Sequence, residues 1–433
     1  MSDKKLLGID IGSYRLKIVE SDGGRLRKAV TVDLPDNLVK NGRIVAFAAM
    51  ALFIKETLRQ NKFRYKDCAV SLSHENYYAR RVHLPLMTTA LLDVNLPFEF
   101  HDYISGDLGN YVYDYAVLSM DDKNMDLMAA ATAKDLVTNY RVMMKKAGLK
   151  LVKIVPDVLA VAAILYHPER IVDPSKTKKE LSDARREVEK KLQAERAAVE
   201  KAAREEQAEA RKAEKEKEKA AKKLAKSGFV VDSAAVENQT TAMNDAAMND
   251  TAKTDTAGSE AVAEKTTEGN SGAVMNVNDE VHDFAVLDIG YSNAKLHFFS
   301  KGTFEITRTM EEGEKELAQH IVDERGIDIH IAMLKLEHNQ DNILSEQGTV
   351  DQFDAISTEI MRVMNFYSYN NAGNTIDRIY YFGGGTNIPS LIAAIGQSTG
   401  LPMSPLTELI PGITDDDRNN LGYGPQAFGA TIE

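Results

Sequence analysis

Apolar and polar residues alternate over two stretches that resemble each other. The first is Leu6-Leu7-Gly8-Ile9-Asp10-Ile11-Gly12-Ser13-Tyr14-Arg15-Leu16-Lys17-Ile18-Val19. The second is Ala285-Val286-Leu287-Asp288-Ile289-Gly290-Tyr291-Ser292-Asn293-Ala294-Lys295-Leu296-His297-Phe298. Each holds Asp-Ile-Gly at its centre and a lysine seven residues after the aspartate. That pattern predicts a β-hairpin in each stretch. A third segment, Arg378-Ile379-Tyr380-Tyr381-Phe382, runs into Gly383-Gly384-Gly385-Thr386-Asn387-Ile388-Pro389. It predicts a buried strand, a glycine loop and a helix over Ser390–Gly396 with Pro389 in its first turn. The apolar run Ile44–Ile54 predicts a buried helix and falls short of the ~20 residues of a membrane span. Further helices are expected from Asp157 and over Gln352–Ser368.

Between the two patterned blocks the composition changes twice. From Lys176 to Lys226 the chain is Ala, Lys, Glu, Arg and Gln, all strong helix formers. Pairs such as Glu187/Lys191 and Glu200/Arg204 support a solvated helix. About 18 basic residues face about 12 acidic ones there. From Asp232 to Glu280 the residues are small and polar, with about 2 basic and about 10 acidic, a composition of disorder. The expected divisions are 1–70 and 151–170 as a first lobe, 71–150 as a small inserted subdomain, 171–282 as the charged insert, and 283–433 as a second lobe with a C-terminal return.

The length of 433 residues accommodates two or three domains at roughly 150 residues each. The net charge of −12 argues against a nucleic-acid partner. Cys68 is the single cysteine, which excludes an intramolecular disulfide, a Cys-x-x-Cys pair and a cysteine zinc cluster. The N-terminus leads straight into a strand-like segment, so no signal peptide is expected and a cytoplasmic location is. The nine histidines lack ligand spacing; His330 and His338 are eight apart.

The two hairpins have a chemistry in common. Glycine turns bring backbone N–H groups close to an anion. Ser13 and Ser292 add hydroxyl donors, and Lys17 supplies positive charge. Asp10 and Asp288, at strand ends, suit Mg²⁺ held largely through water. Lys295 reads equally well as a solvent-facing strand lysine. Gly383, Gly384 and Gly385 let a flat ligand or a phosphate approach the backbone.

In this order the three segments resemble the actin-like ATPase superfamily, where they are two phosphate loops and an adenosine loop. Within it the chain is most similar to the PilM family of type IV pilus assembly proteins, relatives of the division protein FtsA. Asn41-Gly42-Arg43-Ile44, Val70-Ser71-Leu72-Ser73, Arg80-Arg81-Val82-His83-Leu84-Pro85, Ala129–Lys134 and Ala147-Gly148-Leu149 carry the likeness further.

The resemblance implies an α/β fold of two ribonuclease-H-like lobes with a small α/β inserted subdomain. It implies ATP and Mg²⁺ as cofactors, held by Asp10, Gly12, Ser13, Lys17, Asp288, Gly290, Ser292, Lys335, Gly383, Gly384, Gly385 and Asn387. Asp157 would lie near the γ-phosphate. Two departures stand out. Met333 occurs where the family's ribose-binding helix has Glu, and Met310-Glu311-Glu312-Gly313-Glu314 is acidic where the family favours glycines.

The function implied is a scaffold at the inner face of the cell membrane. It would dock the N-terminal cytoplasmic tail of a PilN-like inner-membrane protein within residues 71–150, alongside other pilus assembly proteins. The membrane would be reached only through partners, and any ATP hydrolysis would be slow. Alternatives are a nucleotide-free adaptor on the same frame, a kinase using Asp157, and an FtsA-like division protein. Against the last, Phe428–Glu433 shows no long amphipathic tail.

Overall fold

The computed structural model describes residues 4–166, 283–300, 303–371 and 373–432. The charged helix expected over Lys176–Lys226 and the tether over Asp232–Glu280 lie outside the described residues. The same unit is built twice. In the first lobe β1 (Lys5–Ile11), β2 (Arg15–Asp22) and β3 (Arg25–Asp33) form an antiparallel meander. Gly23 and Gly24 both take positive φ in the two-residue link between β2 and β3, matching the twist of the flanking strands. A ribbon of β4 (Val39–Lys40) and β5 (Arg43–Ile44) leads to α1 (Phe47–Gln60). The ribbon takes up the start of the apolar run, so the helix begins later and runs further than its hydrophobicity suggests. Met50, Ile54, Thr57 and Leu58 make its buried face, while Leu52 is exposed.

β6 (Asp67–Leu72) adds in parallel to β1. The chain then leaves the lobe through β7 (Tyr78–Pro85), α2 (Thr89–Asn95), β8 (Tyr111–Met120) and β9 (Asn124–Ala133), a three-stranded antiparallel sheet in the order β7-β9-β8. This subdomain has its own core, with Val82, Leu92, Phe100 and Leu127 buried together. The chain returns through α3 (Lys134–Lys146), whose Tyr140 packs edge-on against Phe47 of α1. β10 (Lys150–Pro156) completes the sheet in the order β10-β6-β1-β2-β3. α4 (Asp157–Tyr166) follows, apolar on nearly every side and largely buried.

The second lobe repeats this plan. β11 (Asp283–Ile289), β12 (Ala294–Ser300) and β13 (Thr303–Met310) form the meander. After α5 (Glu314–Arg325), α6 (Ile329–His338) and α7 (Gln347–Asn370), β14 (Ile376–Phe382) pairs in parallel with β11. α8 (Pro389–Thr399) and β15 (Met403–Pro405) give the order β13-β12-β11-β14-β15. Of the aromatic cluster on α7, only Tyr367 is core, stacked at 3.9 Å on Phe298; Phe366 and Tyr369 face solvent.

α9 (Asp415–Gly422) and α10 (Gln426–Gly429) carry the chain back to the first lobe. Asp417 and Asn420 cap backbone N–H groups of β3 at Ala29 and Thr31. α10 packs so closely that a Cβ on Gly8 would lie 1.8 Å from the Ala427 carbonyl oxygen. Tyr166 of α4 meets Phe284 and Phe299 of the second sheet at 5.7 and 5.9 Å, so α4 binds the two lobes into one body.

Candidate functional site

Identical registers bring the two hairpins to equivalent positions. Asp10 sits opposite Lys17, and Asp288 opposite Lys295. In each turn the glycine N–H closes on the carbonyl three residues on: Gly12 to Arg15 and Gly290 to Asn293, both at 3.0 Å. Tyr14 and Tyr291 from the two turns stack across the cleft at 4.7 Å and 17°. The Tyr14 hydroxyl also meets His330 Nδ1 of α6 at 3.0 Å. Beneath these rings is a cavity of about 70 Å³ bounded by both hairpins, Gly384 and the α10 approach.

Asp10, Gly12, Ser13, Lys17, Asp157, Asp288, Gly290, Ser292 and Gly384 all line this cavity. The remaining expected residues stand back from it. Gly383 takes φ +106°, a conformation open to glycine, and its N–H bonds the Gly422 carbonyl at 2.8 Å. Gly385 packs against Ile289, so a Cβ there would lie 2.4 Å from the isoleucine side chain. Asn387 ends the short helical turn Gly384–Asn387, with its buried amide nitrogen unbonded. Lys335 turns away and pairs with Asp341.

The ion pairs in the cleft differ from the simple expectation. Lys17 Nζ bonds Asp10 Oδ2 at 2.9 Å. Lys295 is no solvent-facing strand residue: it is buried and reaches across the cleft to Glu75 at 3.3 Å and Asp157 at 3.9 Å. Burial alone would lower the Lys295 ammonium, but Asp157, Glu75 and Asp288 more than reverse this and raise it. Burial likewise pushes Glu75 upward, yet Lys295, the Ser73 hydroxyl and the Asn293 amide hold it at about 2. Asp288 is half-buried, and loss of water around its carboxyl pushes it up to about 7 against the pull of Lys295 and Lys17.

Asp157, expected near a γ-phosphate, lines the cavity and is held by a set of hydrogen bonds. Its Oδ1 accepts from the Tyr77 hydroxyl at 2.5 Å and the Val158 N–H at 2.7 Å, and Oδ2 accepts from the His74 N–H at 3.0 Å. A carboxylate with three hydrogen bonds and a lysine beside it anchors the start of α4. Burial raises its carboxyl above the ordinary value, against the pull of Lys295 and the Tyr77 hydroxyl.

The geometry places both departures of the second lobe. Met333 is buried in the lobe core, facing away from the cleft. One turn later on α6, Glu337 pairs with Arg15, which lines the cavity. In the acidic loop Glu311 and Glu312 are exposed, and only Glu314 is buried. The N–H groups of Glu314 and Lys315 bond the Gly290 and Tyr291 carbonyls, which seats the start of α5 on the second hairpin turn. Burial raises the Glu314 carboxyl to about 7, against the pull of Arg15. Of the three carboxylates Glu314 is the one paired with Arg15, while Glu311 and Glu312 face solvent.

Sequence reasoning missed Arg15, Glu75, Glu337, Tyr423 and Gln426, and named Glu314 only as part of an acidic loop. Lys295 had a visible signal, its seven-residue offset from Asp288 matching that of Lys17 from Asp10. The others come together only through tertiary contacts.

The polar groups fit a phosphate-bearing ligand. Two ammonium groups, two serines and two turns converge on one cavity. A divalent ion would be held through Asp10 and Asp288. Among the described residues no three carboxylate, imidazole or thiolate groups are arranged to hold a metal ion by themselves.

The family model for type IV pilus assembly protein PilM matches residues 8–178 and 236–410. No curated protein matches the chain. Among solved structures, a PilM-PilN type IV pilus biogenesis complex matches with a TM-score of 0.65 at 15% identity, covering 99% of this chain and 98% of that one. Ethanolamine utilization protein EutJ from Carboxydothermus hydrogenoformans matches at TM-score 0.47 and 11% identity, covering 100% and 91%. MreB 5 of Spiroplasma citri bound to AMPPNP matches at 0.42 and 9%, covering 99% and 96%. The fold, shared with the PilM-PilN complex, is the two-lobed actin-like one expected from the sequence, and the chain belongs to the family of type IV pilus assembly protein PilM.

Proposed function

We propose that the chain is an ATP-binding scaffold of a type IV pilus assembly machine. It would work in the cytoplasm at the inner membrane, docking the N-terminal cytoplasmic tail of a PilN-like membrane protein. Among the described residues no helix is long and apolar enough to cross a membrane, and membrane attachment is assigned to the partner. The observation that carries the nucleotide reading is the paired hairpin. Asp10 with Lys17 and Asp288 with Lys295 converge on one cavity against Gly384. The phosphates would lie between the hairpins, with Lys17, Lys295, Ser13 and Ser292 as donors. Mg²⁺, when bound, would neutralise phosphate charge beside Asp10 and Asp288. The adenosine would lie toward Gly384 and Glu337.

The small subdomain offers apolar surface for a peptide: Leu91, Val94 and Phe98 are each more than half exposed, at 54, 64 and 65%. A scaffold of this kind uses binding energy that differs between lobe arrangements, so fast hydrolysis is not required. The commitment of Asp157 to structural hydrogen bonds supports slow turnover or none.

Calorimetry with Mg-ATP tests the reading. Saturable binding is expected in the wild type and its loss in Lys17→Ala and Gly384→Asp. No binding up to millimolar ATP would return the chain to a nucleotide-free adaptor. One observation favours that second reading: the cavity of about 70 Å³ is far below the roughly 300–1,000 Å³ of small-molecule sites.

A further inference from the structure

Why the cavity is so small is visible in the side chains around it. Arg15 follows the first hairpin turn and extends across the cleft rather than out of it. Its side chain is 8% exposed. Nε bonds Asp33 Oδ1 at 3.1 Å, Nη1 approaches Glu314 Oε2 at 3.4 Å, and Nη2 pairs with Glu337. The guanidinium also lies over two aromatic rings, Tyr423 at 4.4 Å and Tyr14 at 5.0 Å. It sits directly against the glycine loop: a Cβ on Gly384 would be 2.8 Å from Arg15 Nη1 and 2.3 Å from Glu314 Oε2. A flat, cationic, hydrogen-bonding group therefore fills the half of the cleft that faces Gly384, between stacking rings and the carboxylate of α6.

We infer that Arg15 is an internal ligand of the adenosine half of the cleft. It competes with nucleotide and holds the two lobes together until displaced. The inference rests on the nucleotide reading above and deepens it by naming the residue that sets the affinity. Planarity and the fork of donors matter here: one guanidinium bridges Asp33 of the first lobe to Glu314 and Glu337 of the second while stacking on Tyr423. The phosphate half, with Lys17, Lys295 and both serines, is left out of this contact. Only ligands carrying a nucleoside meet the competitor. The apparent affinity for ATP is then the intrinsic affinity reduced by the fraction of molecules in which Arg15 has let go.

The test compares wild type, Arg15→Gln and Arg15→Lys in the full chain, titrated by calorimetry with ATP and with inorganic tripolyphosphate, both with Mg²⁺. Removing a cation near a phosphate site weakens anion binding on electrostatic grounds alone, so a gain in affinity has no such origin. The expected result is ATP binding at least tenfold tighter in Arg15→Gln with tripolyphosphate unchanged within twofold. Arg15→Lys, which leaves a cation between Glu314 and Glu337 but removes the planar fork, should gain less. It decides the matter if Arg15→Gln does not fold. ATP affinity equal to or below wild type in both variants overturns the inference and leaves the nucleotide reading intact. An equal gain for ATP and tripolyphosphate also overturns it, because competition then is not confined to the nucleoside. If no form binds ATP, the nucleotide reading falls and the inference falls with it.

Discussion

At the scale of single residues, the cleft is a set of buried charges whose neighbours decide their state. Lys295 bridges Glu75 and Asp157 from the opposite lobe; Lys295 and Asp157 are buried and Glu75 is half-buried. Replacing Lys295 with methionine leaves a buried carboxylate and a half-buried one facing each other, a change that typically costs about 3–5 kcal/mol. Urea denaturation of Lys295→Met should show a loss of that order, and a loss under 1 kcal/mol would mean that the pair is not structural. Glu314 makes the pH dependence specific. Its carboxyl titrates near 7 in the folded protein against the ordinary 4.5. Between those values the folded state holds a proton that the unfolded state has released, so stability falls as pH rises through this window. Glu314→Gln removes that contribution. Its melting temperature should decline less than that of the wild type between pH 5 and pH 8, and parallel declines would count against the assignment. The carboxyl of Glu75 acts in the opposite sense: held at about 2, it contributes stability above the ordinary value that is lost as pH falls toward 2. None of this was legible from the residues in isolation. Glu75 and Lys295 are 220 positions apart, and a strand lysine carries no mark of which face its strand will bury.

At the scale of elements, both hairpins were readable because a hairpin is local: alternation sets the faces and the glycine turn sets the register. The Asp10–Lys17 and Asp288–Lys295 pairings follow from that register. Helix limits were less legible. α1 starts at Phe47 because β4 and β5 take the preceding residues, and α7 extends to Asn370 past the end of its apolar periodicity. The shortest helix, α10, could not be foreseen from four residues, yet it seals the first lobe. Its docking requires bare backbone at two places: a Cβ on Gly8 would lie 1.8 Å from the Ala427 oxygen, and one on Gly429 2.0 Å from the Ala160 oxygen. Gly8→Ala should undock this segment. Amide hydrogen exchange over residues 426–432 would then rise by orders of magnitude while α7 keeps its protection; unchanged exchange in the segment would refute the packing argument.

At the scale of the whole molecule, two copies of one sheet order face each other, and a small antiparallel subdomain branches from the first. If that branch receives the partner's tail, Leu91→Ser and Phe98→Ser should weaken binding of a fluorescently labelled PilN-like N-terminal peptide at least tenfold. Their melting points should stay near wild type, since both side chains are exposed. Unchanged peptide affinity in both would move the docking site elsewhere. The sequence by itself determined the repeated Asp-Ile-Gly hairpins, the glycine loop and the family likeness, because turn chemistry and strand alternation are written in neighbouring residues. The tertiary structure alone decided what the cleft contains. It placed Arg15 against Gly384, turned Met333 into the core, paired Glu337 with Arg15, and committed Asp157 to Tyr77, His74 and Val158. Those outcomes depend on which helix face packs inward and on groups brought together from distant parts of the chain, and short-range patterns do not encode either.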